Sequence, residues 1–289
     1  MSSSSRWNIF YRGPLSSCNY ACSYCPFAKT SNTAAELQDD AQKLDRFVTW
    51  VAEQNDREIG ILFTPWGEAA IHPYYQEAIA KLSHLPNVYR VAIQTNLSGK
   101  LAWLKNCELQ TAALWTTYHP SQTTLDSFLS QTKILDEIGA QYSVGVVGFT
   151  DELETIQDLR ARLHPEVYLW ANAYKDVDDY YRPGEIEAFE KIDPHFRTNT
   201  HYHPSQGKPC NAGHSSFSID GEGNVQRCHF IKKTIGNIYH PEFRKALAPA
   251  PLPCSNETCG CYIGYIHMPS LQLDKVYQDG LLNRIPIKN

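Results

Sequence analysis

The sequence predicts an α/β protein built on a parallel sheet, followed by a small cysteine-rich unit. Three observations carry this. Short β-rich runs alternate with amphipathic helical stretches over residues 7–200. The runs are near-continuous in apolar residues, as expected of strands covered on both faces. From about residue 201 the texture changes, with His, Pro, Gly and then Cys taking over. With 289 residues, 42% of them hydrophobic and 20% charged, there is ample material for a packed core.

The strands are expected at Trp7–Tyr11, Ile59–Phe63, Val88–Gln94, Leu114–Tyr118, Tyr142–Val147 and Val167–Ala171. After the first, Thr33 and Glu36 are spaced as a capping box, and Leu37, Ala41, Leu44, Val48 and Val51 recur at helical spacing. A second helix is expected with Ser121 as N-cap, Leu125, Phe128, Leu129 and Leu135 on one face, and Gly139 just past its end. A third opens at Asp151 with Leu153, Ile156, Leu159 and Leu163 on its apolar face. Six strand–helix units in series imply right-handed crossovers, and leave a partial barrel or an open doubly wound sheet. In either, active groups collect at the carboxyl ends of the strands.

His201–Pro209 reads as a linker between two units, residues 1–200 and 201–289. A hairpin follows, Ser215–Ile219 and Asn224–Cys228 around the turn Asp220–Gly223. The stretch 246–261 is proline-rich and then cysteine-rich, too irregular for one helix. Tyr262–Met268 is expected as a strand or turn packing the tail onto the barrel.

Net charge of −5 argues against a broad phosphate-reading surface, so nucleic acid is not an expected partner. No apolar run approaches the roughly 18 to 20 residues that cross a bilayer. The polar Met1–Ser5 has no apolar core, so no secretory signal is expected either. The expected location is cytoplasmic, with no membrane partner.

The nine cysteines, at 18, 22, 25, 107, 210, 228, 254, 259 and 261, are odd in number and clustered, which disfavours a disulfide framework and favours zinc or iron–sulfur. Cys18-x3-Cys22-x2-Cys25 follows the first strand directly. Three thiolates can hold three irons of a cubane and leave the fourth open to an exogenous chelator. A structural zinc site wants four closed ligands, and no fourth Cys or His lies near.

This trio, with Tyr24 before its last cysteine, resembles the signature of the radical SAM superfamily. Thr64-Pro65-Trp66-Gly67-Glu68 resembles that family's Gly-Gly-Glu motif, with Trp66 in place of the first glycine. Gln94-Thr95-Asn96, Thr116-Thr117-Tyr118-His119-Pro120 and Gly145-Val146-Val147-Gly148 resemble its strand-end elements. The resemblance covers about residues 7–230. It implies a partial (β/α)6 TIM-type barrel, a 4Fe–4S cluster on Cys18, Cys22 and Cys25, and S-adenosylmethionine chelated to its open iron. Tyr24 would pack against the adenine, and Gly67 and Glu68 would contact the methionine amino group. Gln94, Asn96, Thr117 and Asn172 would lie near the bound cofactor, and Tyr118 and His119 would meet it or the substrate. The implied chemistry is reductive cleavage to a 5′-deoxyadenosyl radical that abstracts a substrate hydrogen, fed by an external electron donor such as flavodoxin or ferredoxin.

Cys210, separated by twelve residues from Gly223-x4-Cys228, and then Cys254-x4-Cys259-x-Cys261, resemble the auxiliary-cluster domains called SPASM or twitch. Five cysteines cannot fill two four-thiolate clusters, so one auxiliary 4Fe–4S cluster is expected, with the choice among Cys254, Cys259 and Cys261 open. A zinc ribbon is the structural alternative. The resemblance implies an oxidation or cross-link on a small molecule or peptide. Because the first strand begins by residue 7, a compact substrate or a peptide delivered by a partner is favoured. Nucleotide or tRNA-precursor modification, a non-catalytic iron–sulfur sensor or electron carrier, and a zinc scaffold are the alternatives. Cys107 reads as a half-buried hydrophobe, Arg12 as a carboxylate partner or a cap on the sheet, Tyr180–Tyr181 as packing, and His201, His203 and His214 as loop histidines.

Overall fold

The computed structural model describes residues 6–27 and 30–287, so the Met1–Ser5 tail lies outside the described residues. Six parallel strands follow one another: β1 (Arg6–Arg12), β2 (Glu58–Phe63), β3 (Val88–Thr95), β4 (Ala112–Thr117), β5 (Gln141–Gly148) and β6 (Leu169–Ala173). Each expected strand is present, within two residues at either end. The helices are α1 (Ala34–Ala52), α2 (Pro73–Ser83), α3 (Leu125–Ile138), α4 (Leu153–Arg162), α5 (Pro183–Glu190) and α6 (Phe196–Asn199).

Helix α1 starts as its capping box predicts: Glu36 N–H donates to Thr33 Oγ1 at 3.3 Å, and Thr33 N–H donates to Glu36 Oε2 at 2.7 Å. Helix α3 ends at Gly139 but begins later than expected. Its N-cap is Thr124, whose hydroxyl accepts from Ser127 N–H, because the N–H groups of Gln122 and Thr123 close a turn on the His119 carbonyl first. Helix α4 is entered through a 3₁₀ turn, Thr150–Glu152. Helix α2 has no counterpart among the sequence expectations, and a 3₁₀ turn, Ala102–Asn106, takes the place of a helix between β3 and β4.

The hairpin strands β9 (Ser216–Asp220) and β10 (Asn224–Gln226) do not stand apart. Strand β9 pairs parallel to β1, and β11 (Thr234–Asn237) adds beyond β10, giving one sheet in the order β11-β10-β9-β1-β2-β3-β4-β5-β6. The sheet is not closed, consistent with a partial barrel. The segment read as a linker is pinned by two-residue ladders: β7 (His203–Pro204) pairs with β13 (Thr258–Cys259), and β8 (Pro209–Cys210) with β12 (Leu252–Pro253).

Side chains alternate along each strand, so the sheet has two packed faces. Ile9, Ile61, Ile93, Leu114, Val144 and Ala171 face the helices. Phe10, Leu62, Ala92, Ala113, Trp115 and Trp170 face the other way and are covered by the C-terminal tail, through Tyr262, Ile263, Tyr265 and Leu282. The expected strand or turn at 262–268 is instead the short helix α7 (Tyr262–Tyr265), followed by α8 (Leu273–Tyr277). Tyr265 and Ile266 N–H groups donate to the Cys261 and Tyr262 carbonyls; a short apolar run fits a buried helical turn as well as a strand. Among the described residues no helix is long and apolar enough to cross a membrane.

Candidate active site

The cysteine loop leaves β1 and docks back over the ends of the next two strands. Asn32 Oδ1 accepts from the N–H groups of Ser16 and Ser17, each at 2.8 Å. Glu68 N–H donates to the Ser17 carbonyl at 3.1 Å. That approach is why position 67 is glycine: a Cβ there would stand 1.8 Å from the Ser17 carbonyl oxygen. From the other side Asn96 Nδ2 donates to Asn19 Oδ1 at 3.0 Å and lies 3.8 Å from Cys18 Sγ, while Tyr20 N–H reaches the same sulfur at 3.4 Å. Cys18, Cys22 and Cys25 all line one cavity of about 520 Å³, a size suited to a small-molecule ligand. Two N–H donors aimed at one sulfur, in a loop carrying three thiols, fit thiolates that ligate a cluster.

The strand ends converge on the same cavity. Gly67, Glu68, Gln94, Asn96, Thr117, His119 and Asn172 line it. Glu68 is buried, and its carboxylate accepts from Thr95 Oγ1 and Asn96 N–H, both at 2.6 Å, and from Ala70 N–H at 3.2 Å. Burial outweighs these donors and pushes its pKa up to about 7. His119 is driven down to about 4 by burial, hence neutral at physiological pH, and its Nδ1 lies 2.6 Å from the Tyr24 hydroxyl. The two rings stack at 6.0 Å, so Tyr24 packs behind His119 and does not itself line the cavity. Tyr118 is not brought to the site: it is buried against Phe128 on the helix side of the sheet. Successive strand residues point to opposite faces, so only one of Tyr118 and His119 can look inward. Gly145 makes room for the Trp170 ring, 2.0 Å from where its Cβ would be.

Several lining residues were not singled out from the sequence. Arg12 was, and it caps the sheet, donating from Nε to the Thr64 carbonyl at 2.8 Å while lining the cavity; burial lowers its pKa to about 10. His229, beside Cys228, sits in the same wall and is within 2.9 Å of Thr64 Oγ1, so the auxiliary loop reaches the main cavity. Trp115, Trp170, Tyr262 and Arg284 form its inner end. No sequence signal marks them: they meet only because the tail returns into the sheet. A second cavity, about 610 Å³, adjoins and shares Arg12, Trp66 and His229 with the first.

The five C-terminal cysteines gather in one region of the fold. Cys210, Cys228 and Cys254 pack as a small cluster. Burial drives the Cys259 thiol up to about 12, and the thiols of Cys228, Cys261, Cys254 and Cys210 add to that rise. Crowded thiols of this kind, with Cys228 likewise pushed to about 11 by burial, fit donors that a cationic iron centre would deprotonate. Cys261 also lines the main cavity. Among the described residues, no three His, Cys, Asp or Glu side chains converge on the position of a single metal ion. Cys107 is half-buried at a 3₁₀ C-cap, its thiol raised to about 11 by burial, as a small hydrophobe would be. Tyr181 donates to the Gly148 carbonyl and packs on Phe189 and Phe196, while His203 and His214 bond backbone carbonyls.

No family model matches the chain, and no curated protein is found similar to it. Solved structures do share its architecture. Native anSMEcpe with bound AdoMet (S-adenosylmethionine) superposes with a TM-score of 0.56 at 14% identity, covering 83% of this chain and 80% of that one. The same protein with AdoMet and the Cp18Cys peptide gives 0.55 at 12% identity, over 83% and 80% of the two chains. With AdoMet and the Kp18Cys peptide the values are 0.56 and 13%, over 84% and 81%. The likeness to the radical SAM superfamily read from the cysteine trio and strand-end motifs is thus shown at the level of the fold, which this chain shares with AdoMet-bound anSMEcpe.

Proposed function

We propose that the chain is a radical SAM enzyme that oxidises or cross-links a small molecule or peptide. The observation that carries this is convergence: the three-cysteine loop and the carboxyl ends of β2, β3, β4 and β6 face one cavity. When bound there, a 4Fe–4S cluster supplies the electron for reductive cleavage of S-adenosylmethionine, yielding the 5′-deoxyadenosyl radical that takes a substrate hydrogen. Cys18, Cys22 and Cys25 would hold the cluster. Ionised Glu68, fixed by Thr95 and the Asn96 backbone, would accept from the methionine ammonium. Gln94, Thr117 and Asn172 offer uncharged hydrogen-bonding groups for a ribose and purine, and neutral His119 holds Tyr24 behind it. The tail closes the inner end and keeps water from the reacting centre.

Cys210, Cys228, Cys254 and Cys259 would hold the auxiliary 4Fe–4S cluster, which would accept the electron left on the substrate. His229 and Phe230, which follow Cys228, line the main cavity, which supports an auxiliary centre near the substrate space. The peptides in the anSMEcpe complexes and the adjoining cavity both support a substrate extending beyond the AdoMet site. An external donor such as flavodoxin or ferredoxin would reduce the first cluster.

Anaerobic reconstitution followed by iron and acid-labile sulfide analysis tests the cofactor set. About eight irons per chain, falling to about four when Cys18, Cys22 and Cys25 are all replaced by alanine, is the expected result. About four irons in the wild type, all lost in the variant, would remove the auxiliary cluster and the oxidative step.

A further inference from the structure

The inner end of the cavity is positively charged and lacks an acidic partner. Arg284 is 2% exposed, yet no ion pair engages it among the described residues, and its Nε has no hydrogen-bond partner there. Its guanidinium lies 4.2 Å from the Trp170 ring and 4.3 Å from the Tyr262 ring, with Trp115 at 5.7 Å. Cation–π contact offsets part of the cost of burying a charge but satisfies none of its N–H donors in the ring plane. Tyr277 offers a hydroxyl, which is neutral. Asp193 exerts a field on Arg284, but its own oxygens accept from Tyr168 Oη at 2.5 Å and from the N–H groups of His195 and Ala171, at 2.9 and 3.0 Å.

Other charges reinforce the imbalance. Arg12 also lines the cavity, and Arg12, Lys175 and Arg284 all act on the Cys261 thiol in its wall. Lys175 donates to the carbonyl and side-chain oxygens of Asn199, which leaves its charge uncompensated. Among the described residues the one carboxylate lining the cavity is Glu68, which Thr95, Asn96 and Ala70 hold in place and which is assigned above to the cofactor's ammonium. A planar guanidinium fixed between aromatic rings presents its fork in one plane, the geometry that grips an oxyanion.

We infer that Arg284, supported by Arg12 and Lys175, is an oxyanion-recognition element, and that the substrate carries a carboxylate or phosphate group seated at the inner end of the cavity. The inference rests on reading this cavity as the place where substrate binds. Arg284 is then a specificity determinant delivered by the tail, separate from the strand-end residues assigned to the cofactor.

The test is calorimetric titration of the anaerobically purified full chain, with AdoMet present so that its own carboxylate does not compete. Sodium phosphate and sodium acetate are each titrated against sodium chloride at equal ionic strength. Saturable heat with phosphate alone assigns a phosphate-bearing substrate, and with acetate alone or with both, a carboxylate is admitted. No saturable heat with either overturns the proposal. In Arg284→Gln the affinity is expected to fall roughly tenfold or more, as for loss of a charge-assisted pair; unchanged affinity overturns the assignment. Should that variant fail to fold, Arg284→Lys decides, since it keeps the charge between the rings and loses the fork: a several-fold loss supports the proposal and undiminished affinity refutes it. Formation of 5′-deoxyadenosine by the wild type is measured in parallel. Anion binding without it would sink the radical SAM reading and leave the oxyanion site standing.

Discussion

A carboxyl group closed off from water at the end of β2 sets the pH behaviour of the site. Glu68 titrates near 7 because burial disfavours its charge. The protonated acid cannot accept from an ammonium, so AdoMet affinity is expected to rise as pH is raised through about 7, which calorimetry at pH values on either side would show. Glu68→Gln should flatten that dependence and weaken binding about tenfold, because its amide would face the Asn96 and Thr95 donors. Gly67→Ala should abolish AdoMet binding outright while the sheet persists by circular dichroism, since its Cβ would strike the Ser17 carbonyl. These residues were legible because they lie in short contiguous motifs at strand ends. Tyr118 and His119 lie in one such motif too, but the motif does not say which faces inward; the strand's alternation does. Tyr118→Phe is accordingly expected to keep 5′-deoxyadenosine formation within about twofold, where His119→Ala loses its contact with Tyr24. Asn19 and Asn32, which staple the cysteine loop, were invisible: a side chain bonding local backbone has no periodicity to read.

Among elements, the tail after the last cysteine contributes most that the sequence did not disclose. Its apolar residues are too few and too irregularly spaced to fix a helix, and nothing local indicates that they cover Trp115 and Trp170. Leu282→Ala, at a fully buried position in that face, should cost about 2–5 kcal/mol, measured by denaturant unfolding. The cysteine segment was better read. Its five thiols and the need for four were plain, but only the fold shows that Cys261 lines the main cavity, which is why Cys259 is the ligand proposed here. Cys259→Ala is expected to lose the auxiliary iron and Cys261→Ala to retain it; iron analysis giving the reverse would contradict this division.

For the whole molecule, the six parallel strands were readable because each is a dense apolar run, and burial on both faces is a property of the strand's own residues. The pairing of β9 with β1 was not, because it joins residues about two hundred positions apart through a ladder that leaves no mark on composition. Stability carries a signature of the same enclosed interior. His119 and His267 are each held down to about 4 by burial, and burial also lowers His229 well below its ordinary value. A histidine with a depressed folded pKa stabilises above its ordinary value, and that contribution is lost as pH falls from about 6.5 towards 4. Glu68, raised to about 7, acts in the opposite sense over part of the same window, and the histidines outnumber it. The thermal midpoint should therefore drop between pH 7 and about 5. The most direct test of the central reading is 5′-deoxyadenosine released from AdoMet by the anaerobically reconstituted, chemically reduced chain, compared with Cys22→Ala. The account predicts formation by the wild type and none by the variant. Equal formation by both, or none by a wild type shown to carry its cluster, would contradict it.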